Sequence, residues 1–267
     1  MPILDSQLKT AWFERTLAAI HLLGVVPVLE VLVERDPEAA AIAGPNPWKL
    51  GLRIPNGSAV TIHRGKHGLR VVEGVDNSAN AILTFLTPSH LNRTFQKAGR
   101  VAPPFTLRGL FHLELTKKFE TLMERAESYL KPNGSRADQQ EIRAAMLLRL
   151  TAGAVRALTM NDEAVQDEIE HIPAGLATLR IGSGDGPQIW IDTASRPWRS
   201  AGGPPPETPD VVIEFRDPSI AIAAFDDQLD AGVAVGNGDI RVEGWIPLAD
   251  ALNHLLEQLQ PYLLNNA

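Results

Sequence analysis

Cysteine is absent from the 267 residues, which excludes disulfides, thiolate metal sites and cysteine nucleophiles. A basic surplus is absent too: 25 Lys and Arg stand against 32 Asp and Glu, a net charge of −7. A general nucleic-acid binder carries the opposite balance, so no nucleic-acid partner is expected. An uninterrupted apolar run of membrane-spanning length is also missing. The nearest approach, Leu17 to Val33, is broken by His21, Pro27 and Glu30, whereas a span needs about 20 predominantly apolar residues. A secretory signal fits poorly. AIAG at Ala41–Gly44 imitates a cleavage site, but Glu34, Arg35, Asp36 and Glu38 intervene, and Asp5 and Glu14 dilute a positive start. What is present, 44% hydrophobic and 21% charged residues, describes a soluble globular protein. The length suits one large domain or two of ordinary size. The lack of cysteine is compatible with a reducing compartment, and a cytoplasmic location is expected.

The chain is written twice. LRI at Leu52 returns at Leu179, and AILTFLTPS at Ala81–Ser89 faces VVIEFRDPS at Val211–Ser219, with Phe, Pro and Ser displaced by 130. FTLRG at Phe105–Gly109 faces IRVEG at Ile240–Gly244, and the segment around Gly24 resembles that around Gly153, displaced by 129. Even the ends correspond, SYL at Ser128 and PYL at Pro261. Matches kept in order along this distance read as an internal repeat: two tandem domains, 1–131 and 138–267, joined by KPNGSRADQQ at Lys131–Gln140. The counterpart of Leu17–Val33 then sits mid-chain, so that segment is a domain helix.

Each copy follows one plan. An amphipathic helix opens it, with Pro27 ending or kinking the first. A short acidic helix follows, from Asp36 or Asn161, and then strands: LGLRI, SAVTIH and LRVVEG in the first copy, ATLRI and QIWID in the second. The Gly- and Pro-rich Arg196–Asp210 reads as loop over its first or middle part. Next comes AILTF or VVIEF, then a helix N-capped by Thr87 or Asp217 with Pro88 or Pro218 at its first position. In IRVEG, Ile240 and Val242 face a core and Arg241 and Glu243 face water; Phe105 and Leu107 alternate likewise with Thr106 and Arg108. Gly109 and Gly244 allow a sharp corner into a last helix striped by Leu115, Phe119, Leu122 and Ala126, or by Leu248, Leu252, Leu255 and Leu259. The fold class is α+β: per copy, an antiparallel or mixed sheet with helices on one face.

GDIRVEGWIPLADALNHLLEQL, preceded by PDVVIEFRDPSIAIAAF, resembles the sterol carrier protein type-2 family over about residues 175–262. The first copy, through ANAILTFLTPSHLNRTF and FTLRGLFHLELTKKFETL, is similar but more divergent. The resemblance implies a five-stranded, mainly antiparallel sheet per copy, covered by helices around an apolar tunnel for sterol, fatty acid or acyl-CoA. Neither copy is fused to a recognisable catalytic domain, the chain ends NNA and not in an SKL-type tripeptide, and Phe119 with the residues after Gly109 makes the first cavity different or filled. Phe215, Ile220, Ile222, Phe225, Ile240, Val242, Trp245, Ile246, Leu248 and Leu252 are the candidate ligand-lining residues of the second copy. Composition cannot separate such a lining from a packed core, and both readings stand here.

No catalytic constellation emerges. His63 and His67 in HRGKH have the i, i+4 spacing of a helical metal pair, but Gly65 and flanking strand patterns make them a hairpin turn. His112 and His254 read as surface residues. GNGDIR at Gly236–Arg241 precedes a strand, not a helix, which removes a phosphate cradle. GSGDGP at Gly182–Pro187 is a turn, and Ser183 lacks a hydrolase nucleophile's setting. Asp226 and Asp227 read as a solvated face. No enzyme, cofactor or metal is expected. Three readings remain: an apolar-ligand binder or carrier with at most transient membrane contact, an accessory protein holding a lipid- or quinone-metabolising enzyme, and an enzyme of unrecognised type. Oligomeric state is not legible.

Overall fold

Period-two alternation and the helical stripes resolve into two sheets of the same design. The computed structural model describes residues 2–97, 102–106, 113–131, 139–259 and 262. Leu107, Arg108, Gly109, His112, the joint at 132–138 and the terminal 263–267 lie outside them. The first half runs α1 (Pro2–Ile20), a π-helical turn (His21–Val25), α2 (Val28–Arg35), α3 (Pro37–Ala43), β1 (Trp48–Arg53), β2 (Ala59–Gly65), β3 (Gly68–Glu73), β4 (Ala81–Thr84), α4 (Pro88–Phe95), β5 (Phe105–Thr106) and α5 (Leu113–Leu130). The second runs α6 (Gln140–Asn161), α7 (Glu163–Ile169), β6 (Leu176–Ile181), β7 (Gln188–Asp192), β8 (Arg199–Gly202), β9 (Val211–Phe215), α8 (Pro218–Phe225), α9 (Ala231–Asn237), β10 (Ile240–Gly244) and α10 (Ile246–Glu257).

Both sheets have five strands, ordered β3-β2-β1-β4-β5 and β8-β7-β6-β9-β10. The central pair is parallel in each, β1 with β4 and β6 with β9, and every other pair is antiparallel. The topology of one sheet is therefore the topology of the other, strand for strand. The caps repeat as well: Thr87 accepts from His90 N, Asp217 accepts from Ser219 N and Ile220 N, and each precedes a proline in the first turn.

Several details depart from the pattern reading. The third strand of the second copy exists as β8 inside the Pro- and Gly-rich stretch, with loop before it over Arg196, Pro197 and Trp198 and again after Gly202. AGVAVGN forms α9, capped by Asp230 and ended by left-handed Gly238, a helix the pattern reading did not include. Asp226 is no solvated residue: Arg143 bonds both its oxygens at 2.8 Å. His63 pairs with Arg70 across the β2–β3 hairpin, as its turn setting implied.

The two copies share one hydrophobic core. α1, the π-turn and α2 pack on α6, which itself covers β7, β8 and α8. The layers therefore run sheet, helix row, helix, sheet. This is why α6 is buried nearly all round, from Arg143 to Thr159, where a surface helix would show one wet face. Ala11–Arg35 is long and apolar enough for a membrane span, but 83% of its most apolar window is buried inside the fold. It serves as the matching core segment, and Pro27 N-caps α2 after the π-turn.

The rows cross at glycine. A Cβ on Gly153 would meet the Leu23 carbonyl oxygen at 1.7 Å and Gly24 Cα at 2.6 Å. The glycines paired by the sequence repeat thus touch each other, as in an isologous interface where one patch meets its own copy. Polar ties flank the crossing. Glu30 accepts from Val71 N at 2.6 Å and from Arg149 Nε at 2.8 Å, joining β3 to α6. Arg156 reaches Glu73 at 2.6 Å.

Each copy also ends in a tyrosine latch. Tyr129 donates to Asp36 at 2.8 Å and Tyr262 donates to Asp162 at 2.6 Å, both carboxylates sitting at the N-termini of the short acidic helices. Tyr262 stacks on Phe13 of the first copy, with ring centroids 4.6 Å apart. Burial, joined by the adjacent Asp162 carboxylate, pushes the Tyr262 phenol far up.

Candidate ligand-binding face

On β9, Val211, Ile213 and Phe215 share the face turned to the helices. Antiparallel β10 sets Gly244, Val242 and Ile240 opposite them. Gly244 makes the corner into α10 with φ at 106°, and a Cβ there would fall 2.1 Å from the Asp210 carbonyl oxygen. Only glycine fits that position. α8, held by its Asp217 cap, and α10 pack against this edge of the sheet.

The candidate residues divide by burial. Phe215, Ile222, Ile240, Leu248 and Leu252 are buried. Ile220, Phe225 and Val242 are half-buried against the core, and the Phe225 ring lies 5.6 Å from that of Phe215. Trp245 and Ile246, at the corner, are 43% and 48% exposed. Ile213, which the sequence reading did not single out, is half-buried and faces Val242 across the pair. Its signal was available as the middle inward residue of VVIEF. Val233 and Val235 on α9 are exposed as well.

The first copy differs at the matching strand. Ala81, Leu83 and Phe85, the counterparts of Val211, Ile213 and Phe215 in the repeat, are 0%, 2% and 1% exposed. Beneath α4 the first copy is also polar. His21 Nδ1 lies 3.0 Å from Asn92 Oδ1, and the Asn92 amide donates to the Glu14 carbonyl at 3.0 Å and its carboxylate at 2.5 Å. Ile222 stands where Asn92 would in the second copy. At these positions the two inner faces differ: the first carries a tightly buried strand and a buried polar network, and the second has Ile222 beside a half-buried Ile213.

A separate cleft of about 360 Å³ opens between α7 and α10, lined by Glu168, His171, Ile172, Ala251, His254 and Leu255. His254 is exposed, as the sequence suggested, yet it has carboxylate neighbours, Glu168 at 3.8 Å and Glu257 at 3.7 Å. Among the described residues no group of three or more His, Asp or Glu is placed to hold a metal ion.

No protein-family model matches the chain, and no curated protein matches it. Solved structures do. The chain is similar to sterol carrier protein 2 domains. Domain 2 of the sterol carrier protein of Helicoverpa armigera is 19% identical, with 46% of this chain and 91% of that one covered, at a TM-score of 0.34. Sterol carrier protein 2 from Yarrowia lipolytica is 14% identical over 41% and 89%, at 0.33. UbiJ-SCP2, a ubiquinone synthesis protein, is 15% identical over 42% and 91%, at 0.32.

Proposed function

We propose that the protein binds, and hands on, an apolar ligand of the sterol or acyl-chain class, and that it does so with its second copy alone. The observation that carries this reading is the contrast at matching positions: Leu83 is 2% exposed, whereas Ile213 and its partner Val242 are half-buried. A strand residue facing the helices becomes half-exposed only where packing leaves space beside it. The half-buried apolar residues of α8, which packs on β9, namely Ile220, Ala224 and Phe225, suit the lining of a ligand pocket, which is mostly apolar with few polar groups. The first copy then supplies structure: it contributes the helices that bury α6.

Native mass spectrometry of gently purified protein, followed by organic extraction, tests the reading. One apolar molecule per chain is the expected result. Val242→Asp on the edge strand β10 places a carboxylate on the open face and should weaken uptake about tenfold or more while leaving the circular dichroism spectrum unchanged. Two molecules per chain would overturn the assignment to one copy. A chain that stays empty when offered fatty acid, acyl-CoA and sterol would overturn binding altogether and favour a scaffold that holds a partner enzyme.

A further inference from the structure

Arg143, on α6, is 3% exposed. Its Nη2 donates to both oxygens of Asp226, the C-cap of α8, at 2.8 Å. Its Nε is buried and has no acceptor among the described residues. A guanidinium carries five N–H donors, and a buried donor left without a partner is costly enough that such atoms are rare in native proteins. Among the described residues two other buried side-chain atoms share this state, Thr178 Oγ1 and Trp198 Nε1. Thr178 alternates with the inward Ala177 and Leu179, and so lies on the far face of its sheet. Trp198 adjoins β8, at the opposite edge. Arg143 instead lies against α8, since its partner Asp226 directly follows Phe225 and stands one helical turn after Ile222.

Resting on the binding reading above, we infer that Arg143 Nε donates a hydrogen bond to the ligand, and that the ligand presents there an uncharged oxygen, a ketone or ester carbonyl, and not a carboxylate. The charge balance decides between them. Arg143 and Asp226 already form a neutral pair. A ligand carboxylate would add an uncompensated negative charge among isoleucines and phenylalanines, and a buried unbalanced charge is strongly unfavourable. A carbonyl oxygen takes up the free N–H and adds no charge. The first copy offers no such donor: at the displacement that carries Gly153 onto Gly24, Arg143 falls on Glu14.

Undecan-2-one, undecane and undecanoate, each competing against a bound fluorescent acyl-chain probe, provide the test. In the unaltered protein undecan-2-one should bind at least as tightly as undecanoate. The ratio of ketone to alkane affinity should fall about tenfold in Arg143→Met/Asp226→Leu, the loss expected for a hydrogen bond to a charged group. That variant removes both charges together, so no unpaired ion is left in the core. A ratio unchanged by the substitutions, as when Nε merely holds a water, overturns the inference, and so does tighter binding of undecanoate. If the variant fails to fold, the Arg143 Hε resonance of the unaltered protein decides: it should shift with undecan-2-one and not with undecane, and equal response to both overturns the assignment. Failure of all three compounds to displace the probe would instead count against the binding reading itself.

Discussion

Gly153→Ala is expected to lower stability by roughly 3 kcal/mol or more, the upper part of the range for overpacking a core, and to leave part of the protein unfolded in the cell. The added methyl would sit 1.7 Å from the Leu23 carbonyl oxygen and 2.6 Å from Gly24 Cα. Both are backbone atoms of the opposing helix row, so no side chain can swing aside; relief requires the two rows to separate. That separation would open the one core the copies share, and the loss should appear in a single cooperative transition. Gly24→Ala should cost less, since its Cβ would meet the Leu150 carbonyl oxygen at 3.1 Å and Ala154 N at 3.2 Å, gaps that a few tenths of an ångström relieve. Gly65→Ala, with nothing within 4 Å, should stay within about 0.5 kcal/mol of the unaltered protein. Urea unfolding of the three variants checks the order. A Gly153→Ala protein as stable as Gly65→Ala would mean that the helix rows do not meet at this crossing.

That crossing also marks the boundary of what the sequence made legible. The repeat displayed Gly24 and Gly153 as equivalent residues, and alternation and stripes placed most strands and the last helices. Those signals are local, set by periods of two and 3.6 residues. That the two glycines would touch is a tertiary fact, and no period encodes it. β8 was hidden because Arg199–Gly202 sits among prolines and glycines that read as loop, although an edge strand tolerates such residues nearby. α9 was hidden because three of its residues and its flanks lack helix-forming side chains, and its Asp230 cap and Gly238 stop count only once the chain has turned.

The candidate site was partly legible for the same reason. Alternation identified Ile240 and Val242 as inward residues, and Leu248 and Leu252 as the stripe above them. It could not grade them: Leu248 and Leu252 are sealed while Val242 is half-open, because burial depends on what the other helices leave uncovered. Asp226 was misjudged on adjacency to Asp227, since its partner Arg143 lies 83 positions away. The charged contacts that matter most here join elements distant in the chain.

The Asp36 latch leads to the second large effect. Asp36 is 3% exposed and accepts from Glu38 N and Ala39 N at 2.9 and 3.2 Å, from Arg125 at 2.6 and 3.0 Å, and from Tyr129 at 2.8 Å. Asp36→Ala removes the cap of α3, worth about 1 kcal/mol. It also strands a hydroxyl and a partly buried guanidinium, and breaking a buried pair from one side costs about 3–5 kcal/mol. Because Arg125 can still reach Glu38 at 2.7 Å and water, a total near the lower end, about 3 kcal/mol, is expected. Tyr129→Phe, which removes one acceptor's partner, should cost about 1 kcal/mol. The latch is also sensitive to acid. Burial alone would raise the Asp36 carboxyl, but the Arg125 and Tyr129 bonds, with the two backbone N–H groups, outweigh it and hold the carboxyl below its ordinary value. The stability this contributes is fully present above the unfolded value of about 3.9 and disappears as pH falls through the lower folded value. The unaltered protein should therefore lose stability below about pH 4, and Asp36→Ala, already weakened at pH 7, should lose less over that window. Parallel losses in the two proteins would show that other carboxylates, such as Asp192 and Asp217, which are also held low, govern the acid limb.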